Sequence, residues 1–303
     1  MSSPIINGAI ASAPQALWEV GATLGEGVLF DPARQCVWFV DIKGHRVHRC
    51  APDGSDRRSW DAPGQVSFIV PASDGSMVAS LEDGLYRFDD ADGSFAPLAK
   101  VEADETGNRF NDGFVDAAGR LWFGSMHDDE EHPTGKLYRF DGTQVAQMDD
   151  DYVITNGPST SPDGRTLYHT DTLKKQVYVF DLDADGHLSN KRPFTTIDDG
   201  GYADGMAVDA DGFVWVATFG GWRIDRFDAQ GRKVGEVRFP CANITKLAFG
   251  GEDLRTVYVT SARKGLSSEE LAAQPLAGAL FTFRADVAGQ AQAQLKLQPQ
   301  TND

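Results

Sequence analysis

A chain of 303 residues with 41% apolar residues has ample material for a globular core, and no apolar run approaches the roughly 18 residues that a membrane helix needs. Its net charge of −17 argues against nucleic acid as a partner, because that binding rests on basic side chains neutralising phosphate. The weak apolar stretch from Ile5 to Ala11 follows no basic residue and contains Asn7 and Gly8, which reads against a secretory leader and for the cytoplasm.

Along the chain, a strand rich in aromatic and β-branched residues recurs six times, as VWFVD, MVASL, LWFGS, LYHTD, VWVAT and VYVTS. Their second residues are Trp38, Val78, Trp122, Tyr168, Trp215 and Tyr258, separated by 40, 44, 46, 47 and 43 positions. That period matches four-stranded propeller blades of roughly 40–50 residues. Asp74-Gly75, Ala118-Gly119, Asp163-Gly164 and Asp211-Gly212 precede most of these strands as tight turns. A further strand follows each, and LYRF, KLYRF, VYVF and IDRF run into turns at Gly93, Gly142, Gly186 and Gly231. Helical patterns of ten or more residues, which a parallel α/β fold requires, are almost absent. Ser267-Ser268-Glu269-Glu270 has capping-box spacing and predicts one short helix. The predicted fold is all-β: a six-bladed β-propeller of four-stranded antiparallel blades forming one domain over residues 1–303. Pairing of Gln15 to Val20 beside Ala279 to Arg284 is expected to close the ring and remove exposed sheet edges. A closed unit of this kind defaults to a monomer.

If the blades are equivalent, residues 11 or 12 before each landmark share one place at the start of the innermost strand, around one mouth of the channel. Those residues include Glu26, Asn111, Asn156 and Asp204, each with glycine close by in GEG, NDG, NGP or DGM. Hairpin turns also use such residues, but these four fall well ahead of the turns already placed. Converging oxygen donors with two carboxylates suit one hard or borderline divalent cation: calcium, zinc, manganese, magnesium or iron(II).

The segments LGEG at Leu24 to Gly27, RFND at Arg109 to Asp112, TNG at Thr155 to Gly157 and DGM at Asp204 to Met206, with the later FGG and QPLAG, resemble the senescence marker protein, regucalcin and gluconolactonase family. The resemblance spans nearly the whole chain, and the motifs occur in the expected order. It implies that Glu26, Asn156 and Asp204 bind one divalent metal, that Arg109 and Asn111 contact substrate, and that the reaction is hydrolysis of an aldonolactone. Val28 stands where the family often has proline. MHDDEE at Met126 to Glu131 and YHTDT at Tyr168 to Thr172 look more like the bacterial pentonolactonases, which implies a pentonolactone such as xylonolactone or arabinonolactone, with gluconolactone also open. The acidic run Asp128 to Glu131 reads as a solvated loop tip, although in the resembling enzymes Asp129 falls where an acidic residue approaches substrate. In the implied mechanism a metal polarises the carbonyl and acidifies water, while Asp204 takes the proton.

Other signals read as structure. Asp181-x-Asp183-x-Asp185-Gly186 copies half of an EF-hand loop, but Arg192 holds its twelfth position and no helices flank it, so a hairpin turn is expected. Cys36, Cys50 and Cys241 are odd in number and lack any CxxC pattern, as expected of buried reduced thiols. His127 and His169 lie near loops that could face the mouth, and His127 joins Asp129 as a candidate substrate contact. No GxSxG elbow nominates a serine nucleophile. Two further readings share the same oxygen donors: a non-catalytic calcium- or partner-binding scaffold, and a hydrolase of organophosphates or aryl esters.

Overall fold

A computed structural model describes residues 10–297, so the stretch from Ile5 to Ala11 lies outside it except for its last two residues. The described residues form six four-stranded antiparallel sheets, each contiguous in sequence except the last. Blade 1 starts at Gly25–Asp31, blade 2 at Ile69–Pro71, blade 3 at Asn108–Val115, blade 4 at Thr155–Thr160, blade 5 at Tyr202–Val208 and blade 6 at Ile244–Gly250. These first strands pack against those of neighbouring blades and line the central channel.

The six landmark strands are second strands, buried on both faces, which explains their continuous apolar and aromatic sequence. Trp38, Trp122 and Trp215 are fully buried in them. Trp122 and Trp215 donate their indole N–H groups to Asp116 and Asp209 at 2.9 Å each, and these two aspartates also organise the following turns. The outermost strands, such as Ser94–Lys100 and Leu188–Thr196, are half-buried or exposed along their whole length.

Ring closure follows the predicted pairing. Gln15–Trp18 lies antiparallel to Leu280–Arg284, so the chain's first described strand is the outer strand of blade 6. The capping box also forms: Ser267 caps the helix Ser268–Ala273 and Glu270 reaches back to its backbone. Asp183 and its neighbours make a hairpin turn, and the three cysteines are buried and unbridged. After blade 6 the chain runs across the propeller and meets blade 2, where Leu295 bonds Pro71 and Ser73, and blade 3, where the Lys296 amide bonds Gly119.

Candidate active site

In every blade, the residue three positions before the cross-strand partner of the landmark begins the channel-facing segment. Those partners are Leu29, Val70, Phe114, Ser159, Ala207 and Ala248. Counting back gives Glu26, Ser67, Asn111, Asn156, Asp204 and Thr245, all with an oxygen-bearing side chain. Blades 1, 3, 4, 5 and 6 have a register shift here, and such bulges re-aim side chains that a regular pleat would send to alternate faces. The hydroxyls of Ser67 and Thr245 are spent on backbone, donating to the Phe110 and Gly25 carbonyls. Glu26, Asn111, Asn156 and Asp204 are left facing one cavity of 220 Å³.

The next residue along matters as much. It is glycine in blades 1, 4 and 5, where a Cβ would stand 3.1 Å from the Phe68 backbone at Gly27 and 2.9 Å from Met206 at Gly157. Both adopt positive φ, +58° and +52°, which glycine reaches without strain. In the opposed blades 3 and 6 it is Asp112 and Lys246, which form a buried ion pair across the channel. Asp112 also accepts from the amides of Gly113 at 2.7 Å and Gly157 at 2.9 Å, so it fixes the backbone that carries Asn156.

Asn156 accepts from Asn111 Nδ2 at 3.0 Å and donates to Thr172 Oγ1 at 2.9 Å. Asn111 gives its other N–H to the Thr155 carbonyl and accepts from Arg109 Nη1 at 2.7 Å. Arg109 is itself held by Asp128 at 2.7 Å, and Asp128 is gripped in turn by Lys43 and Gln65. A chain of hydrogen bonds from blades 1 and 2 through blade 3 to blade 4 therefore fixes these side chains before any ligand arrives.

Glu26 and Asp204 differ from the buried Asp112 beside them. Among the described residues neither forms an ion pair, since Lys246 is taken by Asp112 and Lys264 by Glu130. Burial, with the Asp112 charge adding to it, pushes the Glu26 carboxyl up to about 8. Burial, the Glu26 charge and Asp112 raise Asp204 well above the usual range. Two buried carboxylates that repel each other, beside an amide oxygen, form a donor set that a hard dication neutralises. The residues thus fit the implied metal.

At the end of blade 3's second strand and in the loop after it, His127 and Asp129 do not line the cavity. Asp129 is exposed, while His127 is half-buried against Gly107 and His132. Glu130, at φ +63°, reverses the chain so that it and Asp128 turn inward, Glu130 meeting Lys264 across the mouth. His169 is fully buried against Tyr152 and also stands away from the cavity. Asp183, Asp185 and His187 bring ligand-type atoms within 4.8 Å of one another, but they are exposed, and His187 already occupies the Asp183 carboxylate.

Residues 24–263 match the family model described as SMP-30/Gluconolactonase/LRE-like region. The chain is 36% identical over 273 residues to the 6-deoxy-6-sulfogluconolactonase of Pseudomonas putida, covering 88% of this chain and 93% of that one. It is 35% identical over 277 residues to the L-arabinolactonase of Azospirillum brasilense, covering 89% and 91%. The crystal structure of regucalcin from Agrobacterium tumefaciens, described as a calcium-binding protein, superposes with a TM-score of 0.90 at 31% identity, covering 94% and 98%.

Proposed function

The chain belongs to the SMP-30/gluconolactonase/LRE-like family of sugar lactonases, and on that premise we propose that it hydrolyses a sugar lactone to the aldonic acid with one divalent cation held by Glu26, Asn156 and Asp204. The observation that carries this reading is the pair of buried carboxylates without a basic partner, set beside an amide oxygen at the equivalent position of three blades. Calcium, zinc, manganese, magnesium and iron(II) all suit such a donor set. A pentonolactone such as xylonolactone or arabinonolactone, or gluconolactone, suits the cavity, and the relatives that act on gluconolactone- and arabinolactone-type substrates support that choice.

A cation bound there supplies Lewis acidity for the lactone carbonyl and lowers the pKa of water. Asp204 takes the proton of the attacking water as the new C–O bond forms at the carbonyl carbon. The ring C–O bond then breaks, and the proton returns to the departing ring oxygen, which leaves as the alcohol. Arg109, immobilised by Asp128 and Asn111, holds the sugar hydroxyls at the edge of the ring, and Asn111 keeps one lone pair for the same purpose.

Replacing Asp204 by Asn preserves shape but removes the proton acceptor. Proton release from aldonolactones should fall at least a thousandfold, on the scale of a lost catalytic base. Turnover within tenfold of the unaltered protein would remove Asp204 from this role.

A further inference from the structure

The cavity wall is divided by blade. Blades 3 and 6 give it the charged Arg109, Glu130 and Lys264, whereas the adjacent blades 4 and 5 give it Ile154, Leu173, Tyr202 and Phe219 beside the Thr172 hydroxyl, and Leu24 adds apolar surface before blade 1. Glu26, Asn156 and Asp204 are nearly inaccessible at its floor, while Leu173 and Tyr202 are 42% and 39% exposed at its rim. Four large apolar or aromatic side chains stand exposed among the described residues, and two of them flank this one cavity. Apolar surface left open at a concave polar site marks where ligand, rather than protein, covers it.

A lactone whose carbonyl lies at the floor and whose ring hydroxyls meet Arg109, Glu130 and Lys264 turns its remaining edge, with the exocyclic tail, toward blades 4 and 5. A terminal hydroxyl placed there loses water and meets no hydrogen-bond partner on Leu173 or Phe219, whereas a methyl group gains by burial. Resting on the lactonase reading, we infer that Leu173 and Phe219, beside the ring of Tyr202, form a subsite for a methyl-terminated tail, so that terminal-deoxy aldonolactones are preferred over their fully hydroxylated counterparts. Lys175 sets its ammonium 4.9 Å from the Tyr202 ring centroid and thereby holds the ring at this edge.

The test compares kcat/KM for D-xylono-, L-arabinono- and D-glucono-1,4-lactone, each against its terminal-deoxy analogue, on the metal-loaded protein. The deoxy member of the accepted pair should lead by about tenfold, the scale on which apolar pockets discriminate such groups. Leu173→Asn should bring that ratio to about one, and Leu173→Met should keep it. A ratio taken within one protein preparation does not depend on how much of it is folded. Equal or faster hydrolysis of the hydroxylated member, or a ratio unmoved by Leu173→Asn, overturns the subsite and leaves the lactonase reading standing. Failure to hydrolyse either member of any pair overturns both.

Discussion

Among single residues, Glu26 in its proposed role as a metal ligand sets function against stability. Its carboxylate is buried near Asp204 and Asp112 with no cation of its own, so in the metal-free protein it opposes folding. Glu26→Gln should lower cation affinity at least tenfold by calorimetric titration, while the melting temperature of the metal-free protein stays level or rises. A fall of several degrees in that temperature would contradict this account. Lys246 is the opposite case, because its loss strands Asp112 in the channel. Lys246→Met should cost about 3–5 kcal/mol in denaturant unfolding, and adding Asp112→Asn should recover part of it. His48 supplies a pH signature: burial holds its imidazole down at about 4, beneath Trp18 and Phe39. With the folded value below the ordinary 6.5, the unfolded chain binds the proton first, so stability is lost as pH falls from about 6.5 toward 4. The loss is about 3 kcal/mol by linkage, and His48→Phe should flatten that limb of a pH-dependent unfolding series.

At the scale of the element, the blade repeat was legible because buried second strands leave an unbroken aromatic and β-branched signature, and the glycine turns mark their spacing. Four of the six channel positions were legible from the same phase. Ser67 and Thr245 were missed for separate reasons. Serine and threonine carry weaker ligand character, and Thr245 lies 13 residues before Tyr258, outside the 11 or 12 that serve the other blades. Lys246 was invisible to a search for oxygen donors, although it follows Thr245 directly. The inward turn of Asp128 and Glu130, rather than Asp129, depends on a positive φ and on ion pairs to Lys43 and Lys264 in other blades, which local sequence does not encode. The aspartates under the blade tryptophans were likewise unmarked. Asp209 accepts from Trp215, pairs with Arg226 and holds two turn amides, all while fully buried. Asp209→Ala should therefore destabilise the fold by about 3–5 kcal/mol in denaturant unfolding, where an exposed aspartate such as Asp129 should register within about 0.5 kcal/mol.

For the whole molecule, closure is double. The strand Gln15–Trp18 completes blade 6, and the segment after Gly289 straps the face of the channel opposite the candidate site. Gln290 donates to carbonyls of Thr160 and Val208 in blades 4 and 5, and Leu295 is fully buried against blade 2. Leu295→Ala should cost about 2–5 kcal/mol by the usual cavity rule, with little effect on KM because the strap lies away from the candidate cavity. Such bracing keeps donors from different blades in fixed register, which the proposed cation site of Glu26, Asn156 and Asp204 requires. No helix among the described residues is long and apolar enough to cross a membrane.

Lactone hydrolysis is proposed to depend on one cation site that these blades assemble. Titrating metal-free protein with a divalent cation while following proton release from an aldonolactone checks that dependence. Activity should rise from the spontaneous rate in proportion to added metal and level off at one equivalent per chain. Full activity before any metal is added, or a plateau that requires two equivalents, would contradict it.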